Sequence, residues 1–238
     1  MTRLDRTYAA LALTDTALAA HGGAAPIRRL TKPALMPLLI AKLGRAEGAG
    51  RSTLRARTRA GLALSWAGDV ALLDESDGAF AAGLGCFAGA HTCYAAAFGT
   101  ARRPSPPRAA VPVGAAGIAL GGGLARRAGR LGPPVAGYAT LITAMAVRAL
   151  GIDPDRVGRS AATRVAAGAG LFVVSDSLIG LRRFGLPPTM PRPVRSAIDA
   201  AVMATYATGQ WLIADGVARA VQTDGGLGGS DADVGVAR

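Results

Sequence analysis

Short apolar runs recur along this chain, and arginines fill the gaps between them. The runs fall approximately at 7–22, 27–43, 60–74, 79–99, 109–125, 133–150, 163–181 and 194–216. Arg28, Arg29 and Lys32 crowd one junction, Arg45, Arg51, Arg55, Arg57 and Arg59 the next. Further along come Arg102, Arg103 and Arg108, then Arg126, Arg127 and Arg130, then Arg182 and Arg183. Membrane proteins keep their charges in such places. Several runs fall short of the roughly 20 apolar residues that a full span requires. The second is the weakest, with three basic residues at its start and Pro33 and Pro37 within it; Pro33 suits the first turn of a helix. The pattern predicts an all-α fold: a polytopic transmembrane helical bundle of about eight spans over residues 1–222. A disordered polar tail, 223–238, follows, rich in Gly and Asp and without an apolar face.

Composition agrees. Half of the 238 residues are apolar and 18% are charged, against about a quarter charged in soluble domains. Few aromatics and 33 glycines suit helices whose backbones approach closely. A net charge of +12 raises the question of nucleic acid. A nucleic-acid binder gathers its basic residues on one face; here they are spread over the gaps, so no nucleic-acid partner is expected. Most of the 27 basic residues fall on the side of the two termini, and the stretch 74–79 on the other side has none. The positive-inside rule therefore puts both termini in the cytoplasm of an integral protein of the plasma (inner) membrane. Asp5 and Asp15 interrupt any signal-peptide pattern, so the first run is expected to stay as a helix.

Polar residues inside apolar runs carry the functional reading. Asp69 and Asp176 each sit in such a run, and a carboxylate at bilayer depth costs several kcal/mol unless paired, protonated or wet. Ser65 lies one helical turn before Asp69, and Ser175 precedes Asp176. His91 and Tyr94 are three apart; Asp199, Met203, Tyr206 and Gln210 follow at four, three and four, a stripe that belongs inside a bundle. With eight spans, Lys32, Asp69, Asp176 and this stripe converge on one level, as a single outward-opening cavity requires. The plainer roles are interhelical hydrogen bonds for the aspartates, Tyr206 and Gln210, a satisfied interior position for His91, and snorkelling for Lys32. Two histidines, His21 and His91, cannot supply a three-histidine zinc site. No nucleophile elbow or P-loop is present. Neither metal nor organic cofactor is expected.

Taken in order, these motifs resemble a family. Thr31, Lys32 and Pro33 with Met36, then Leu64, Ser65, Gly68, Asp69, Leu72 and Leu73, then Phe80, Gly83, Phe87, His91 and Tyr94, resemble the YhhN-like membrane proteins. The likeness continues through Tyr138, Met145, Gly170 and Phe172 (in altered spacing), Ser175, Asp176, Tyr206 and Gln210, covering roughly residues 30 to 213. The resemblance implies a polytopic helical protein with lysoplasmalogenase activity, which hydrolyses the vinyl ether of a lysoplasmalogen. The products are a fatty aldehyde and a glycerophospho-choline or -ethanolamine. It marks Lys32, Asp69, His91, Tyr94, Asp176, Tyr206 and Gln210; Asp199 comes from the spans alone.

That reaction suits two carboxyl groups. Protonation of the vinyl β-carbon gives an oxocarbenium ion, which water then captures. A carboxylic acid can donate the proton, and an ionised partner can stabilise the cation and activate water, as in glycosidases. Asp69 and Asp176 are the expected catalytic pair, with either one as the acid. Lys32 is expected to hold the lipid phosphate. Ser65, His91, Tyr94, Ser175, Asp199, Tyr206 and Gln210 are expected around the substrate. The expected partners are a lysophospholipid substrate and membrane lipids; no oligomeric state follows from the chain. The rivals are a transporter or binder of a small polar solute or proton, a hydrolase of another lysolipid, and a purely structural membrane protein.

Overall fold

The computed structural model describes residues 2–21, 25–46, 53–74, 76–105, 107–187 and 189–227. Among them all regular structure is helical: α1 (Arg3–His21), α2 (Ala25–Arg45), α3 (Thr53–Ala71), α4 (Asp77–Phe98), α5 (Ala110–Arg127), α6 (Gly132–Leu150), α7 (Pro154–Val157), α8 (Arg159–Gly180) and α9 (Arg192–Leu227). Each expected apolar run falls largely on one of the eight long helices, the third outlasting α3 by three residues. Local signals set several boundaries. Ser76 caps α4 by accepting from the Ala79 amide, satisfying one of its orphan N–H groups. Pro133 and Pro134 open α6, where a missing amide hydrogen is harmless. Asp153 caps the short α7, and Gly158, at φ +86°, breaks it from α8.

Three details depart from the sequence reading. Pro33 does not open α2; it lies two turns inside, because the helix starts at Ala25. The helices outrun their apolar stretches, since arginine is a good helix former and loss of hydropathy does not end a helix. α9 accordingly extends to Leu227, taking in 223–227, and the remainder of the expected tail lies outside the described residues. Only the helical stretch Arg159–Gly185, α8 with its continuation, is by length and composition long and apolar enough to cross a membrane among the described residues. The all-helical bundle is thus present, while eight spans do not follow from the helices taken singly.

The closest helix pair is α8 with α9. A Cβ placed on Gly168 would lie 2.6 Å from the Gly209 carbonyl oxygen, and one on Gly209 would lie 2.8 Å from that of Gly168. Only glycine permits this approach. α9 also packs against α1, α2 and α3, and α4 bridges α3 to α6. Buried Leu35, Met36, Leu62, Tyr94, Met145 and Phe172 fill the centre. At one end of the bundle an ionic cluster ties four helices: Lys42 of α2 contacts Asp5 of α1 and lies 2.7 Å from Asp215 of α9. Arg164 of α8 lies 3.1 Å from the same Asp215, and Trp211 donates to Asp5 at 3.0 Å. Large apolar side chains remain on the outside, including Leu13, Leu30, Val111 and Ile118.

Candidate active site

The opposite end of the bundle is hollow. Here α3 and α8 end, α4 and α6 begin, and helix α8 passes directly into a π-helical turn, Leu181–Gly185. A cavity of about 300 Å³ lies among these elements, and Lys32, Asp69, Tyr138, Ser175, Asp176 and Tyr206 supply polar groups to its wall. Apart from Thr143 and Ser177 the rest of its lining is apolar, from Phe80 and Phe184 to Ile142 and Ala146 on α6. Ligand pockets combine an apolar wall with a few converging polar groups in this way.

Two polar systems meet the cavity. In the first, the Lys32 ammonium stands 3.2 Å from one oxygen of Asp69, and the Tyr206 hydroxyl donates to the other at 2.6 Å. Beneath it, Gln210 donates to Ser65 at 3.0 Å and accepts from the Tyr94 hydroxyl at 2.8 Å. Ser65, Tyr94 and Gln210 are fully buried and form a floor under Asp69 without lining the cavity. Lys32 is engaged with a carboxylate, so the expected phosphate ligand is already partnered.

In the second system the Tyr138 hydroxyl donates to Asp176 and lies 2.8 Å from Nε2 of His91. A phenol has one hydrogen. If it goes to Asp176, Nε2 of His91 must donate to the phenol oxygen, which puts a hydrogen on Nε2. Nδ1 of His91 is buried without a partner among the described residues, as a lone pair in an apolar surround can be. The imidazole packs edge-on against Phe172 at 4.7 Å. His91 thus stands behind Tyr138 instead of facing the cavity.

The remaining expected residues divide. Ser175 borders the cavity, but its hydroxyl donates to the Val202 carbonyl at 3.1 Å. Asp199 pairs with Arg182 and is not part of the cavity wall, although Met203 and Tyr206 of the same stripe are. Asp15, which is not one of the expected site residues, is buried against Arg28 and Thr31, with the Thr31 hydroxyl at 2.6 Å. Tyr138 is the site residue that sequence reasoning did not place among the functional ones. Its signal was a phenol in the otherwise apolar first turns of α6.

Comparison with known families fits this arrangement. The YhhN family model matches residues 27–217. The chain belongs to the YhhN family. Every polar residue of the cavity falls within the matched range, so the YhhN match and the cavity describe one region, while α1 precedes it. No solved structure matches this YhhN chain.

Proposed function

We propose that this YhhN protein is a lysoplasmalogenase-like hydrolase of the plasma membrane. The supporting observation is that two carboxylates open onto one apolar cavity with different partners. Asp69 has an ammonium at 3.2 Å and a phenol hydrogen at 2.6 Å, the surroundings of an ionised carboxylate. Asp176 has no lysine or arginine within ion-pair distance among the described residues; its Oδ2 accepts from the Tyr138 hydroxyl and lies 3.6 Å from Nε2 of His91. Its other oxygen makes no hydrogen bond among the described residues.

In this reading Asp176 protonates the β-carbon of the vinyl ether. The resulting oxocarbenium ion is stabilised by the Asp69 carboxylate, which takes a proton from water as the water adds to the cationic carbon. The hemiacetal then collapses: its hydroxyl proton returns to Asp176, and the carbon–oxygen bond to glycerol breaks. Asp69 gives its proton to the departing glycerol oxygen. Aldehyde and glycerophospho-alcohol leave, and both carboxyl groups regain their starting states. The apolar wall along α5 and α6 takes the alkyl chain. The exposed Leu13, Leu30, Val111 and Ile118 support contact with lipid around the bundle, with the eight long helices as spans and both termini cytoplasmic.

The test is aldehyde release from a defined lysoplasmalogen by purified protein in detergent, with the doubly substituted Asp69→Asn, Asp176→Asn protein as blank. Release above the blank supports the hydrolase. Equal release from both proteins, each shown to be folded, sinks the carboxylate mechanism. Solute flux without aldehyde would favour a transporter using the same residues.

A further inference from the structure

If the cavity takes a lysophospholipid, something at its mouth must meet the phosphate, and Lys32 is already committed to Asp69. At the end of the bundle the cavity is lined by Phe80, in the first turn of α4, and Phe184, on the π turn; their rings meet edge-on at 5.9 Å. The guanidinium of Arg183 lies 4.0 Å from the Phe80 ring centroid and 5.9 Å from that of Phe184. A guanidinium held on an aromatic face keeps its edge free for a planar, two-pronged contact with phosphate. Its present partner is Asp77, whose side chain is 85% exposed. An ion pair with so wet a carboxylate is weak and easily exchanged.

The spacing fits one substrate. From Asp176 to Arg183 there is about 10 Å of helix at most, and the short glycerol bridge separates the vinyl ether from the phosphate. In the other direction the apolar wall follows α6 from Val135 to Ala146, about 16 Å of helix. The polarity of the bound lipid follows: chain inward along α5 and α6, vinyl ether at the carboxylates, phosphate outward at the π turn. π-helical turns often occur where a helix is reshaped for a site.

We infer that Arg183 and Asp77 form a headgroup subsite for a zwitterionic lysophospholipid, with phosphate on Arg183 and the headgroup ammonium on Asp77. The lipid's own two charges replace the Arg183–Asp77 pair, an exchange that leaves no net charge behind. This rests on the reading of the cavity as a lysophospholipid site. It also gives Asp199 a part outside the cavity: through Arg182 it holds the turn that carries Arg183.

The experiment measures binding, so it does not depend on turnover. The probes are a saturated 1-alkyl-lysophosphocholine, which has no vinyl ether to cleave, the corresponding 1-alkylglycerol, and 1-alkyl-lysophosphatidate. Wild-type protein should bind the lysophosphocholine more tightly than the alkylglycerol. Arg183→Ala should weaken the lysophosphocholine about tenfold, as expected for loss of a charge-assisted contact, and leave the alkylglycerol within about twofold; Arg183→Lys should recover part of the loss. Asp77→Asn should weaken the lysophosphocholine but strengthen the lysophosphatidate, which lacks an ammonium and competes with Asp77 for Arg183. The subsite is overturned if Arg183→Ala leaves the lysophosphocholine unchanged, if it weakens all three probes alike, or if wild type does not distinguish lysophosphocholine from alkylglycerol. The expected binding pattern without aldehyde release would defeat the hydrolase reading and leave the headgroup subsite standing.

Discussion

The Lys32 ammonium and the Asp69 carboxylate face each other at 3.2 Å, with Asp69 1% and Lys32 13% exposed. Removing one member of a buried pair strands the other charge, which costs about 3–5 kcal/mol. Lys32→Ala should therefore lower the thermal stability of the detergent-solubilised protein by roughly that amount. The double variant Lys32→Met, Asp69→Leu should recover most of it, because no charge is left alone. A single Lys32→Ala as stable as wild type would show that Asp69 is not left as a stranded buried charge.

Asp176 and its two supports separate chemistry from scaffolding. Asp176→Asn should lower kcat about 10²–10⁴-fold, the usual worth of a general acid, with KM nearly unchanged. His91→Leu removes the group that orients the Tyr138 hydroxyl, and should cost about tenfold in kcat. His91→Gln, whose amide can still donate toward Tyr138, should recover part of that loss. Equal activity of the Leu and Gln variants would show that the orientation of the phenol does not matter.

The α8–α9 contact predicts a stability effect far from any chemistry. A methyl on Gly168 would lie 2.6 Å from the Gly209 carbonyl oxygen, and backbone cannot swing aside as a side chain can. Gly168→Ala should destabilise by about 1–3 kcal/mol through overpacking. Gly170→Ala, where a Cβ meets nothing within 4 Å, should be neutral or slightly stabilising. Unfolding temperatures of the two variants check the contrast.

Asp5 precedes the first apolar run and carries a pH dependence. Burial alone would raise its pKa, but hydrogen bonds from Lys42, Trp211 and Thr2 outweigh it and hold the carboxyl well below the usual range. A group whose folded pKa is depressed stabilises the fold above its unfolded pKa and loses that contribution as pH falls toward the folded value. The ionic cluster should thus weaken below about pH 4. Unfolding temperatures between pH 6 and 3 should fall more steeply for wild type than for Asp5→Asn.

The helices and the two carboxylates of the cavity were legible because each needs only local pattern. Alternating apolar and basic stretches gave the eight long helices, and a carboxylate in an apolar run stands out wherever the fold places it. Partnerships were harder. Lys32 read as a phosphate ligand because nothing in the chain says that α2 and α3 bring it to Asp69. Asp199 read as part of an inward stripe, since the stripe is real for Met203 and Tyr206; it turns away only because the π turn, which has no sequence signature, delivers Arg182 to it. Tyr138 was visible as a motif residue, but its bridging of His91 and Asp176 is a tertiary fact. The Asp5, Lys42 and Asp215 cluster joins residues from the two ends of the chain, beyond the reach of any window of periodicity.

α5 has α6 as its principal neighbour and also meets the π turn and the end of α8, where its Leu124 lies against Gly180, while Val111 and Ile118 face outward. The flank of the cavity is therefore its least braced wall, and on the proposed lysophospholipid reading it faces the lipid in which the substrate lies. A substrate arriving through that flank never crosses bulk water. Turnover should then follow the mole fraction of substrate in the surrounding lipid or micelle, and diluting that surface with inert lipid should slow it at constant bulk concentration.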